Sequence, residues 1–299
     1  MNYLYHIGVY LGIYVITALS LNVVVGYCGM LTMAHAGYFA IGSYAYALAS
    51  LKLGWGFLPS LALAAGVAGV LSLAVSLSAW RLRDDFFVLV SLSAQVLIFS
   101  LLFNWFTPNE EIGSFANFTN GPYGISSIPK PQLFGLRFES TGSMAILSLV
   151  LAAACTVLLR LLLSSPWGRL LKAIRDDELA ARGLGKDTRL AKVQAFSVAC
   201  GMVGLAGAVY ASYVTYIEPG ISSVNESVVM LCMVIVGGAG NFRGPIVGAV
   251  TLLAIPEILR FVDLSERLAG NLRLAAFGLL LVLMMHFRPQ GLAGEYRID

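Results

Sequence analysis

Apolar runs long enough to cross a lipid bilayer recur from one end of this 299-residue chain to the other, and they restrict its fold more than any other feature. About 20 residues of helix span the roughly 30 Å hydrocarbon layer. Runs at Tyr5–Gly26, Phe57–Trp80, Phe86–Phe106, Ser143–Leu163, Val193–Ile217 and Leu268–Phe287 meet that length. Between them lie shorter, glycine-broken apolar runs at Gly26–Leu51, Ser227–Phe242 and Gly244–Leu259. The expected fold is an all-α membrane protein, a polytopic helical bundle of about eight full spans in one domain over residues 1–299. Broken or half helices are expected at Gly26–Gly37 and Gly237–Gly248. Composition agrees: 12% of residues are charged, whereas soluble domains run near a quarter. The mean hydropathy is +0.81. A net charge of +3 is too small to suggest nucleic acid.

Sidedness follows from where lysine and arginine sit, because short cytoplasmic loops carry an excess of them. Placing Ser164–Lys192 in the cytoplasm also puts Arg81, Arg83, Arg243 and the C-terminus there. That side then holds 13 of the 19 lysines and arginines; Lys52, Lys130, Arg137, Arg260, Arg267 and Arg273 fall opposite. The N-terminus and the loop 107–142, rich in Pro, Gly and Asn, are therefore expected outside. No basic residue precedes Lys52, so the first apolar run reads as a retained span, not a secretory leader. The four cysteines (Cys28, Cys155, Cys200, Cys232) are scattered in apolar runs with no C-x-x-C pair, and read as small apolar filler.

The cytoplasmic segment 164–192 reads SSPWGRLLKAIRDDELAARGLGKDTRLAK. Ser165-Pro166 is a helix-start signal, since the hydroxyl caps free amides and proline tolerates the first turn. Leu170, Ile174, Ala181 and Leu184 recur at helical spacing on one face, Glu178 and Arg182 stand four apart, and Gly183 and Gly185 supply the stop. The pattern predicts one short amphipathic helix. Periodicity alone leaves three roles open: a solvated loop helix, a helix on the lipid surface, or one docked in a cytosolic partner. Asp176, Asp177 and Glu178 at its centre count against anionic lipid.

The string GRLLKAIRDDELAARGLG resembles the coupling segment of permeases in the branched-chain amino acid ABC importer family, of the LivM type. That segment carries an EAA…G pattern in ABC importers, which Ala180, Ala181 and Gly185 match in position. Leu179 takes the first place of the triplet, and Glu178 sits one residue early. GYCGMLTMAHAGYFAIGSYAYAL (Gly26–Leu48), VIVGGAGNFRGPIVGAV (Val234–Val250) and HFRPQGLAG (His286–Gly294) resemble further signatures of the family, in the expected order. The resemblance implies that Gly168, Arg169, Lys172, Arg175, Asp176, Asp177, Glu178, Ala181 and Gly185 form a coupling helix gripped by a separate ATPase. It also implies a second homologous permease subunit, two P-loop ATPase subunits that bind ATP and Mg, and a periplasmic or lipid-anchored solute-binding protein. The setting implied is the bacterial inner membrane. The cargo implied is a branched-chain amino acid, or a urea, amide or organic acid. Asp84-Asp85 and the stretch TNGPYGISSIP depart from the family's usual residues and leave the exact solute open.

Irregular backbone inside a membrane persists only where protein buries it or water lines it. Gly26, Gly29, Gly37 and Gly42 in one half, and Gly237, Gly238, Gly240, Gly244 and Gly248 in the other, mark two expected helix breaks. Interrupted segments in corresponding halves point to a transport pathway, although close helix packing also uses glycine. Polar residues in or beside the runs, Asn22, Thr32, His35, Ser91, Gln95, Asn225 and Glu226, should face the bundle or a cavity. Of these, Thr32, His35, Ser91, Gln95, Asn225 and Glu226 are candidate pathway residues. Gln95 leads them, and His35 is a candidate to hold a backbone carbonyl at the bend.

Catalysis has little to stand on. No H-E-x-x-H or G-x-S-x-G occurs, and the histidines (His6, His35, His286) are far apart, so no metal site or catalytic residue is assigned. Gly185-Lys186 lacks the rest of a phosphate loop, so no cofactor is expected in this chain. A secondary transporter would need buried acidic groups or an ion cage at the midplane, and a membrane enzyme would need clustered His, Asp or Glu. The apolar runs supply almost none of either.

Overall fold

A computed structural model describes residues 2–77, 84–133, 136–260, 266–288 and 290–293. Arg81, Arg83, Pro289 and Gly294, named above, lie outside them. The helices are α1 (Asn2–Asn22), α2 (His35–Lys52), α3 (Phe57–Ser76), α4 (Asp84–Asn104), α5 (Thr141–Ser164), α6 (Pro166–Asp176), α7 (Glu178–Gly183), α8 (Thr188–Val214), α9 (Val224–Gly237), α10 (Gly244–Arg260) and α11 (Glu266–Phe287). Besides these there are 3-10 turns at Gly121–Tyr123 and Pro219–Ser222 and two-residue strands: β1 (Ile125–Ser126), β2 (Gln132–Leu133), β3 (Leu136–Arg137) and β4 (Tyr216–Ile217). The chain is an all-α membrane protein.

The expected eight crossings are not what the described residues display. Five helices there are long and apolar enough to span a membrane: Tyr3–Tyr27, Phe57–Ser76, Phe86–Asn104, Thr141–Ser164 and Thr188–Val214. Helix α9, at 14 residues, is too short to do so, and α10 has 17. α2 begins late, because the chain passes through a π-turn at Val23–Tyr27 and then runs without helix until His35.

Packing sets the layout. α1 and α8 are the central helices, 72% buried over their most apolar windows, whereas α3 and α4 each bury only 28%. The outward faces of α3, α4 and α5 are apolar and exposed, as a lipid contact requires. Inside, small residues let backbones approach. Ser43 Oγ donates to the Gly207 carbonyl at 2.9 Å, and Ser197 Oγ to the Gly69 carbonyl at 2.7 Å. A Cβ on Gly207 would run into the Phe39 carbonyl, and one on Gly204 into Ala68 at 2.8 Å. Without a hydrophobic gain between helices in lipid, such close contact and hydrogen bonding hold the bundle. All four cysteines are buried, as filler would be.

Two ends of the bundle can be told apart. At one, a Cβ on Gly142 would meet the Tyr5 ring at 3.6 Å, Lys52 pairs with Glu111 at 3.0 Å, and β1 pairs antiparallel with β4 (Ile125 opposite Ile217). This loop end gathers the start of α1 and residues 107–133 and 136–142. At the other end lie α6, α7 and the turn between α9 and α10, where Arg175 reaches the carbonyl of Gly26. The grouping of Arg243 with the 164–192 segment, and of Lys52 and Lys130 opposite, follows the charge-based expectation.

The tight α2–α8 contact has a measurable consequence. Gly207→Val should destabilise the detergent-solubilised chain by about 2 kcal/mol, lowering Tm by several degrees, through overpacking. Gly66→Ala, where an added Cβ meets nothing, should leave Tm essentially unchanged. Equal Tm for both would contradict this packing.

Candidate functional site

Helices α2 and α9 both begin inside the bundle, level with Gln95 at the middle of α4. A helix start leaves backbone N–H groups without intrahelical partners, which is costly where water is absent. Side chains supply the acceptors. Gln95 Oε1 accepts from Gly37 N at 2.7 Å, Ser227 Oγ from Ala36 N at 3.3 Å, and Ser91 Oγ from Met33 N at 3.0 Å. Thr32 Oγ1 takes the Ala34 N–H at 3.3 Å. The other half of the Gln95 amide turns toward the second start, where Nε2 donates to the carbonyls of Ser222 and Ser223. One amide therefore bridges both interrupted segments. Only an amide carries a donor and an acceptor in the arrangement this junction requires.

Ser91, Gln95, Thr32 and His35 are all buried and meet at this junction. His35 does not hold a carbonyl at the bend, as expected from sequence. Its Nε2 lies 3.3 Å from Ser20 Oγ, and Nδ1 has no hydrogen-bond partner among the described residues. Asn225 and Glu226 are not part of the cluster; both are exposed on the first turn of α9. The stretch 215–223 before α9, which holds β4 and a 3-10 turn at Pro219–Ser222 but no α-helix, is an interruption the sequence reading did not name. The second expected break is present as well: α9 ends at Gly237, α10 begins at Gly244, and the chain leaves the helix between them at the glycine cluster. Those glycines form a hairpin in which Gly248 packs on the Met233 carbonyl and Gly237 on that of Gly244.

The α6–α7 end carries a second junction. The expected single helix breaks at Asp177, whose extended backbone (φ −158°, ψ 100°) and side chain cap Ala180 N at 2.9 Å. An aspartate here offers the backbone a local alternative to continuous helix. The buried face also differs from expectation: Gly168, Leu171, Ile174 and Ala181 are buried, Leu170 is half-buried, and Leu184 is 81% exposed. Glu178 accepts from Lys192 at 2.7 Å and from Thr188 Oγ1 at 2.9 Å. Burial by itself would raise the Glu178 pKa, but these bonds and the nearby Arg182 outweigh it and hold the carboxyl below its ordinary value. With the folded pKa lowered, that contribution to stability is present at neutral pH and is lost only as pH falls through the folded value.

Arg175 joins this segment to both glycine-rich regions. Its Nη1 donates to Gly26 O at 2.8 Å, while Asp176 Oδ1 fixes the guanidinium through Nε and Nη2, each at 3.0 Å. A Cβ on Gly29 would meet the Arg175 stem at 3.0 Å, and one on Gly240 would meet Nη1 at 2.6 Å. Lys172 sits 5.3 Å above the Tyr27 ring, and Arg169 Nη1 reaches the Ser164 carbonyl at 3.4 Å. Asn22 closes the junction, accepting from Gly240 N and donating to Asn241 O, both at 3.0 Å. Residues 292 and 293 of the terminal motif dock on α9 through Leu292 N to Val236 O (2.8 Å) and Ala293 N to Gly237 O (3.0 Å). A Cβ added to Gly183 or Gly185 would meet nothing within 4 Å, and Leu179 is 76% exposed. The sequence reading missed Leu179 and placed Leu184 on the wrong face; their apolar character within a polar segment was the available signal.

Comparison with known proteins bears on what this arrangement serves. A family described as "Branched-chain amino acid transport system / permease component" matches residues 3–285. The chain is 35% identical, over 94% of its length and 67% of the relative's, to the high-affinity branched-chain amino acid transport system permease protein LivM of Escherichia coli (strain K12). It is 25% identical, over 95% of its length and 91% of the relative's, to the probable branched-chain amino acid transport permease protein LivM of Methanocaldococcus jannaschii. The permease protein LivH of the same transport system in Escherichia coli (strain K12) is 25% identical over 98% of this chain and 95% of its own. No solved structure matches the chain.

The midlevel junction generates one expectation. Gln95→Leu leaves the Gly37 N–H and the Ser222 carbonyl unpaired at about 1–3 kcal/mol per group, so Tm of the solubilised chain should fall clearly. An unchanged Tm would mean that this amide does not bridge the two helix starts.

Proposed function

The chain belongs to the branched-chain amino acid transport permease family, and from that premise we propose that it is the membrane permease subunit of an ATP-driven importer of the bacterial inner membrane. Residues 164–192 form its cytoplasmic coupling segment, and residues 107–142 its external loop. The cargo is a branched-chain amino acid or a similar small polar solute such as a urea, an amide or an organic acid. The partners are a second homologous permease, two P-loop ATPase subunits that bind ATP and Mg, and a solute-binding protein that delivers cargo to the outer face.

The observation that carries this reading is the tie from α6–α7 to the helix joints. An exposed segment with no bond to the bundle interior would be an ordinary loop. Here Arg175 bonds Gly26, packs on Gly29 and reaches Gly240, so a displacement of α6 acts on both joints. In the proposed cycle, closure of the ATPase pair moves α6–α7, the joints shift, and the bundle exchanges outward for inward access. Solute follows the new opening. Leu179 and Leu184, exposed beside the open surface of Gly183 and Gly185, form the apolar face that fits a cleft on the ATPase.

Purification of the complex tests the docking. Leu179→Glu with Leu184→Glu should cut ATPase co-purification by about tenfold or more, as buried interface anchors do. Both side chains are exposed, so the bundle itself should fold normally. Retained co-purification would contradict the assignment of this face.

A further inference from the structure

Helices α2, α3 and α4 leave a cleft of about 600 Å³ between them, open sideways between α3 and α4, which barely touch. Leu48 of α2, Leu63 and Val67 of α3 and Ile98 of α4 line its walls. Leu71, Leu97 and Leu101 line it too and are exposed on the outward faces of α3 and α4. A gap of this size is far beyond what a packed interior leaves. In lipid no hydrophobic push closes helices on one another, because acyl tails are as apolar as leucine. An apolar gap that faces the bilayer is therefore filled by tails. Along α2 the cleft runs from Tyr38 to Lys52, about 21 Å of helix. One leaflet supplies about half of the roughly 30 Å hydrocarbon core, so a tail entering at the Lys52 end fits along it.

The mouth of the cleft supplies the polar half of a ligand. Trp105 and Phe118 line it there with ring centroids 5.1 Å apart, and aromatic residues gather at the headgroup level of a membrane. Lys52 is the one charged residue among the described residues that line the cleft. It pairs with Glu111 at 3.0 Å, with 40% and 88% of the two side chains exposed. A cation and an anion thus stand side by side where a headgroup would lie. We propose that the cleft holds an acyl chain of a zwitterionic aminophospholipid, whose phosphate meets Lys52 and whose ammonium meets Glu111. A phosphatidylglycerol headgroup carries no cation for Glu111, and that carboxylate repels its phosphate. The site is separate from the Gln95 and Arg175 junctions, and it does not depend on the cargo. The competing occupant is a helix of a second subunit laid over α3 and α4.

The test is native mass spectrometry of the full chain and of the assembled complex. Both are reconstituted in vesicles of equal phosphatidylethanolamine and phosphatidylglycerol and then gently extracted in detergent. The unmodified chain should keep a phosphatidylethanolamine in both settings, preferred to phosphatidylglycerol by about threefold, the scale of an exposed ion pair. Ala45→Phe with Ala94→Phe fills the cleft from α2 and α4 and should remove this lipid. Lys52→Gln with Glu111→Gln changes only exposed groups and should abolish the preference while a lipid is still held. An unmodified chain that keeps no lipid overturns the proposal. So do lipids that neither variant pair alters, which would be annular lipid only. Lipid kept by the isolated chain but absent from the complex overturns it as well, because a partner subunit then covers the cleft.

Discussion

Backbone groups that start a helix in the middle of a membrane must find partners in protein, and this chain meets that demand at a single level. Two helices begin there, and one side chain, Gln95, serves both: it accepts from the Gly37 N–H and donates to the Ser222 carbonyl. Ser91 and Ser227 take the neighbouring N–H groups. The interruption of α2 and the stretch before α9 are stable because these acceptors are fixed on α4 and α9. Helices α1 and α8, the most buried of the spans, pack around them and exclude water.

At the α6–α7 end of the bundle, the π-turn after α1 meets the turn after α9. Gly26 follows α1 in the π-turn, Gly240 follows α9, and Asn22 bonds across to residues 240 and 241. Arg175 enters from α6 and bonds the Gly26 carbonyl, with only 12% of its side chain exposed. Gly240 has φ +80°, a conformation side chains rarely adopt, and it leaves the space the guanidinium fills. An amide thus joins the starts of α2 and α9 at midlevel, and a guanidinium joins the turns after α1 and α9 at the α6 end. Packed side chains and hydrogen bonds of this kind can carry coupling between distant sites. In the importer reading, they are the path by which an external motor reaches the pathway.

Much of this was legible in the residues, and what was not has identifiable causes. Apolar length located five spans to within a few residues, and the Gly26–Gly37 break was placed correctly because glycines and His35 interrupt a long apolar run. The break between Gly237 and Gly244 was also placed correctly, and its glycines serve both irregular backbone and the close packing of α9 on α10. A third interruption, before α9, was missed: it holds Pro219, Gly220 and three serines or threonines, weaker signals than a glycine cluster. Periodicity assumed a continuous α6–α7, but Asp177 caps a new helix and rotates Leu184 to the surface. Gln95 was legible as a polar group that could not face lipid. Its bridging role required knowing which two backbones approach it.

The central claim is that force on the α6–α7 segment passes through Arg175 to both joints. Its most direct test is transport by the assembled complex carrying Arg175→Ala. The account predicts that the ATPase subunits still co-purify and hydrolyse ATP, while solute uptake per ATP falls by about tenfold or more, the loss of a partly buried charged hydrogen bond. Uptake per ATP equal to that of the unmodified complex would contradict it, as would loss of the ATPase subunits, which would make Arg175 a docking residue instead.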